Sequence, residues 1–238
     1  MSKKSTDATR AERTAALMKE QARTERRRQL MIVGAVMVVL AVIVGAGLFV
    51  MSKADKTSSS TVASSPYSFP LGDPNAPTKV VIYEDFICPA CGYFESVTHE
   101  KLEQAAADGK VYVEYRPFNF LSRLGPYSGE AANAFRAVWE TAGEDAAMKF
   151  HDALFKDQPS EEGPFPDSDW FVEKAVAAGA DEAKVRPAIE NKEYMDWVDK
   201  ATADASEVRS TPTVYLNGEL VQAGNLDDVA KQVLDAVG

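Results

Sequence analysis

The sequence predicts an α/β domain with an inserted block of helices, preceded by a single transmembrane helix. Three observations carry this. Val80–Asp85 is a β-branched, apolar run that leads into Cys88-Pro89-Ala90-Cys91 (a CPAC motif), after which the spacing turns helical. Residues 30–51 form 22 consecutive positions without a charge. Near the C-terminus, Thr213–Leu216 and Glu219–Gln222 flank Asn217-Gly218, the strongest short hairpin signal.

Taken in order, residues 1–29 are polar and hold nine basic residues against four acidic ones, ending in Arg26-Arg27-Arg28. A basic flank directly before an apolar run reads as a cytoplasmic N-terminal segment. At 1.5 Å per residue, the stretch 30–51 is long enough to cross a hydrocarbon core of about 30 Å. Its length, and the following Ser52-Lys53-Ala54-Asp55, favour an uncleaved signal anchor over a cleaved leader. No cysteine lies nearby to take a lipid. The protein is thus expected in the cytoplasmic membrane, single-pass, with its N-terminus inside and its folded domain outside. Residues 52–66, rich in Ser and Thr, read as a flexible linker.

Residues 67–238 then form one domain, with a helical insertion at about 125–207. Leu71–Pro77 is a turn-rich entry to the strand Val80–Asp85. In the helix after Cys91, Phe94, Val97, Thr98, Leu102, Ala105 and Ala106 fall mostly on one face, and Asp108-Gly109 stops it. Val111–Arg116 alternates as a second strand, ended by Pro117. A helical stretch from about Ser128 to Ser206 is cut into short helices by Gly143, Pro159, Gly163, Pro164, Pro166 and Gly179, with Asp167 or Ser168 as a cap. Its large apolar residues (Phe135, Val138, Trp139, Met148, Leu154, Phe155, Trp170, Phe171, Val176 and Trp197) read as packing. A terminal helix covers about Leu226 to Val237. Beyond residue 29 there are 17 basic and 32 acidic residues, a balance that argues against nucleic acid as a partner.

The chain holds only two cysteines, and both lie in the Cys-x-x-Cys. This pair therefore reacts or binds something. His99 and His151 are the only histidines and have no zinc-finger spacing, so no metal site is expected. Cys88 falls at a helix N-terminus, where unpaired N–H groups and the helix dipole favour thiolate, the form that attacks disulfides. Cys88 is the expected nucleophile and Cys91, one turn later, its resolving partner.

Strand, Cys-Pro-x-Cys, helix, strand, helical block, Thr-Pro, hairpin and helix together resemble the thioredoxin-like fold with an inserted α-helical subdomain. The resemblance is to the DsbA-like disulfide oxidoreductases. It covers Tyr67 to Gly238 and rests on Asp85–Cys91, Gly72–Pro77 and Ser210–Val214 before Asn217-Gly218. It implies that Pro212 is cis and lies beside the cysteine pair, and that the Thr211 backbone holds an extended substrate segment. Two departures stand out. Many relatives carry a buried acid six residues before the first cysteine, where this chain has Ile82. Glu84, on the same face of the strand by the period-two rule, is either a substitute that handles the proton of Cys91 or a partly exposed strand-end acid. Some strongly oxidising relatives have histidine where this chain has Ala90, so a less extreme thiol pKa and a less oxidising couple are expected.

The resulting expectation is a membrane-tethered thiol–disulfide oxidoreductase that oxidises thiols of unfolded exported proteins. It needs no cofactor beyond the Cys88–Cys91 disulfide. The resemblance implies reoxidation by a quinone-linked membrane partner, DsbB-like or vitamin K epoxide reductase-like. The alternatives are a reductase or isomerase that uses the same site, and a non-catalytic membrane-anchored binding module.

Overall fold

A computed structural model describes residues 65–238. The expected signal anchor and the basic segment before it lie outside the described residues, as does most of the linker. Among the described residues no helix is long and apolar enough to cross a membrane.

The strands are β1 (Phe69–Leu71), β2 (Thr78–Glu84), β3 (Val111–Pro117), β4 (Thr213–Leu216) and β5 (Glu219–Leu220). They form one sheet in the order β1-β3-β2-β4-β5. Only β2 and β3 run parallel. Parallel neighbours need a long crossover, and helix α1 (Pro89–Ala107) supplies it. The helical block follows β3: a short 3-10 turn (Ser122–Leu124), α2 (Tyr127–Ala142), α3 (Glu144–Lys156), α4 (Ser168–Ala177), α5 (Glu182–Glu190) and α6 (Met195–Asp204). Helix α7 (Leu226–Val237) ends the chain and packs on α1.

Alternation along the strands decides what the sheet faces. Val80 and Ile82 of β2, with Val111, Val113 and Tyr115 of β3, enter the main core beneath α1, α2 and α3. Val81 and Tyr83 point the other way and pack with Phe118, Ala201 and Ala205. By the same parity Glu84 follows Ile82 into the main core, where it is fully buried. On the opposite face Arg116 lies over the Tyr83 ring and donates to Glu114 and to the Tyr83 hydroxyl.

Local signals set the element ends. Asp108 caps α1, and Gly109 takes the left-handed conformation (φ +71°) that lets the chain turn into β3. Asn217 and Gly218, both with positive φ, make the β4–β5 turn. Asp167, one of the two residues named as caps, accepts from the Trp170 amide and caps α4.

Four expectations need correction. β1 falls partly in what reads as an entry turn. Its Pro70 cannot donate to a ladder, but at the sheet edge that costs little, and β3 provides the pairing. Proline likewise does not end the second strand before Pro117, which pairs with Glu84. The last strand stops at Leu220 and not Gln222. Val97 and Val176, assigned to packing faces, are exposed, because the faces of α1 and α4 that carry them have no element over them.

Candidate active site

Cys88 is the N-cap of α1, and Pro89 follows at the first helical position. Proline suits that position because its missing N–H would have no partner there. The loop before the helix is tightly tied. The Cys88 amide donates to the Asp85 carbonyl (2.9 Å). The Asp85 carboxylate accepts from the Ile87 amide (3.0 Å), the Leu121 amide (2.8 Å) and the Ser128 hydroxyl (2.5 Å). From beyond α3, Gln158 Nε2 donates to the carbonyls of Phe86 (2.9 Å) and Cys88 (3.0 Å). One loop is thus fixed by its own strand end, by the turn after β3, by α2 and by the segment after α3.

The two cysteines are free thiols in unlike environments. Cys88 has its thiol acidity raised, with a pKa lowered to about 6. The largest cause is the hydrogen bond from the Cys91 thiol. Burial opposes it, while the Thr211 side chain and the Cys91 and Ala90 backbone amides assist. A value near 6 lies between those of thioredoxin (about 7) and of DsbA (about 3.5). Cys91 is only 1% exposed. Burial pushes its thiol well above the ordinary range, and its hydrogen bond to Cys88, the charge on Cys88 and that of nearby Glu84 push the same way. The pair is therefore asymmetric: an acidic Cys88 that keeps 7% exposure, and a more deeply buried Cys91 that holds its proton more tightly.

The chain folds Thr211 and Pro212 back against this pair. The Thr211–Pro212 peptide is cis, and the Thr211 carbonyl accepts from the Cys88 thiol at 3.4 Å. The two segments are 123 residues apart in sequence. Beside Pro212 a groove of about 270 Å³ runs along Arg209, Ser210, Thr213 and Leu220 at the sheet edge. Cys88, Pro89, Ala90, Cys91, Thr211 and Pro212 thus come together at one end of the sheet.

Glu84 stands behind the pair and not at the surface. It is fully buried, which removes the reading of it as a partly exposed strand-end acid. Burial raises its carboxyl pKa well above the usual range; the His99 charge opposes this and the Asp85 charge adds to it. Its Oε1 lies 2.7 Å from His151 Nε2, a buried ring on α3. Sequence reading missed three residues that shape this site: Asp85, Gln158 and His151. Asp85 sat in the motif without a role. The other two reach the site only through the fold.

The thioredoxin family model matches residues 64–236. The chain belongs to the thioredoxin family. A probable disulfide bond formation protein D of Bacillus cereus is 27% identical over 168 residues, covering 68% of this chain and 76% of the relative. The crystal structure of reduced DsbA from Mycobacterium tuberculosis is 30% identical, covers 72% of this chain and 93% of its own, and superposes with a TM-score of 0.60. Oxidised BdbD from Bacillus subtilis, at 24% identity, shares the fold (TM-score 0.65, 75% and 96% covered). Within the family the chain is a DsbA-like thiol–disulfide oxidoreductase, a thioredoxin fold with a helical insertion.

Proposed function

We propose that the protein is a membrane-tethered oxidase that introduces disulfides into exported proteins outside the cytoplasmic membrane. The observation that carries this reading is the asymmetric pair: an acidic Cys88 on a buried Cys91, with the Thr211 carbonyl beside the Cys88 sulfur. In the oxidised enzyme a substrate thiolate attacks Cys88 Sγ. The Cys88–Cys91 bond breaks, a substrate–Cys88 bond forms, and Cys91 leaves as a thiolate that takes up one proton. A second substrate thiolate then attacks the substrate sulfur of the mixed disulfide and expels Cys88 as a thiolate. The substrate has lost two electrons and the enzyme holds them as a thiolate and a thiol.

The low pKa of Cys88 favours this direction, because the better leaving group is the more acidic thiol. Thr211 and Pro212 form the edge along which an extended substrate segment would lie. Glu84, whose charge acts on the Cys91 thiol, would exchange the proton with Cys91. The signal anchor at 30–51 would hold the domain near a quinone-linked membrane partner that reoxidises the pair, and the linker would let it reach substrates.

The reduction potential of the full chain, measured in glutathione buffers, tests the direction. A value well above about −270 mV, toward about −120 to −180 mV, is expected of a disulfide donor. A value at or below the thioredoxin level would assign the reductase role. A chain that fails to oxidise reduced, unfolded protein at all would be a binding module.

A further inference from the structure

One turn below Cys91 on α1, and again at each further turn, stand Glu95, His99 and Glu103. From α3 across the interface, His151 faces them. The donor atoms of Glu95, His99 and His151 lie within 4.8 Å of one another. Glu95 and His151 are buried, at 4% and 0% exposure, and His99 is largely covered. Both oxygens of Glu95, Nδ1 of His99 and Nδ1 of His151 have no hydrogen-bond partner. His99 Nδ1 stands 3.5 Å from Glu95 Oε2, too long for a good hydrogen bond. Leaving such groups buried and unpaired is costly, because each has given up its bonds to water without replacement.

The other nitrogen of each ring has a carboxylate beside it. His151 Nε2 is 2.7 Å from Glu84 Oε1, and His99 Nε2 is 3.6 Å from Glu103 Oε2. A histidine that ligates a metal through one nitrogen typically gives its other N–H to a carboxylate, which fixes the tautomer and turns the free nitrogen toward the ion. His151 has that arrangement, while His99 Nε2 faces Glu103 at a longer, ion-pair distance; on each ring the buried nitrogen without a partner is Nδ1.

We propose that Glu95, His99 and His151 form a binding site for a divalent first-row transition metal of the zinc class. Two imidazoles and a carboxylate suit zinc, cobalt or nickel, whereas calcium and magnesium require oxygen ligands throughout. Glu84 and Glu103 are its outer carboxylates. Metal–nitrogen bonds of about 2.0–2.1 Å need donor atoms roughly 3.4 Å apart. Closing from the present spacing takes a small movement of Glu95 and of the His99 ring. Rings of Phe86, Tyr115, Phe135 and Phe155 surround His151 and make its side of the site dry. Glu103 also lines an open cavity of about 540 Å³ with Glu144 and Asp145, an acidic approach for a cation. The spacing of the two histidines in sequence argued against a metal. The fold brings them together from α1 and α3.

The site is independent of the oxidase reading, and it can be tested with the redox chemistry removed. The full chain carrying Cys88→Ser and Cys91→Ser is titrated with Co²⁺, followed by Zn²⁺ competition. The chain has no other histidine or cysteine, so nitrogen-bound cobalt reports on this site alone. One equivalent of Co²⁺ with visible d–d bands, displaced by Zn²⁺, is expected. Glu95→Gln and His99→Gln should each weaken binding at least tenfold, and Glu103→Gln about tenfold through the outer carboxylate. The absence of one-equivalent binding would overturn the proposal, as would binding unchanged in the Glu95 and His99 variants. If those variants fail to fold, the imidazole NMR signals of the unmodified two histidines decide. Both must shift at one equivalent of Zn²⁺, and signals that stay in place overturn the site.

Discussion

If the hydrogen bond from Cys91 is the main support of the Cys88 thiolate, then removing it should raise the Cys88 pKa. Cys91→Ala deletes that donor and leaves the Thr211 and backbone contributions in place. At pH 7 a pKa of about 6 gives roughly ten thiolates per thiol, against about one in thirty for an ordinary thiol near 8.5. That difference favours the reduced enzyme about tenfold, or about 1.4 kcal/mol, and raises the two-electron potential by about 30 mV. Because the folded pKa is depressed, this stabilisation is complete above about pH 8.5, shrinks as the pH falls, and is gone below about 6. Thiolate absorbance near 240 nm, followed against pH, reads the midpoint directly. The reduced wild-type chain should show one at about pH 6, and Cys91→Ala should move it up by about one unit or more. A wild-type midpoint near 8.5, or a midpoint unmoved in Cys91→Ala, would refute the reasoning.

Three further outcomes are expected. Asp85→Ala leaves the Leu121 and Ile87 amides and the Ser128 hydroxyl without their acceptor, and should cost about 3 kcal/mol in urea unfolding of the reduced chain. Gln158→Ala removes two hydrogen bonds to the Cys88 loop. It should lower stability by about 1–2 kcal/mol and speed amide exchange at Cys88, read by hydrogen–deuterium exchange. Glu84→Gln keeps a polar group beside His151 but cannot carry a proton to Cys91. Mixed-disulfide formation, the step in which Cys91 leaves and takes up a proton, should slow about tenfold or more in stopped flow and lose part of its pH dependence. An unchanged pH profile would remove Glu84 from the chemistry.

The parts legible in the sequence were those that neighbours along the chain determine. Val80–Asp85 followed by Cys88-Pro89-Ala90-Cys91 states a strand end and a helix start within a dozen residues, and α1 begins at Pro89. Leu226–Val237 has a strong helical period and folds over that range. What could not be read depends on partners distant in the chain. β1 exists because β3 offers an edge to pair with. Glu84 meets His151 across 67 positions, and Asp85 meets Ser128 across 43. Period two placed Glu84 on the inner face of its strand, but nothing local said that α3 would bring an imidazole to it. The misassigned Val97 and Val176 show the same limit, since a helical period gives a stripe and not what covers it.

The bonds that Gln158 makes to the Phe86 and Cys88 carbonyls bear on how the molecule can be altered by evolution or design. Phe86 itself packs against Phe135 and Phe155, both rings of the helical block. A shortened chain that joined β3 straight to β4 would not be a smaller oxidoreductase. It would strip the loop that holds the nucleophile of its outer wall, expose a large aromatic ring to water and release two carbonyls from the Gln158 amide. The insertion therefore behaves as one half of the reactive end of the protein.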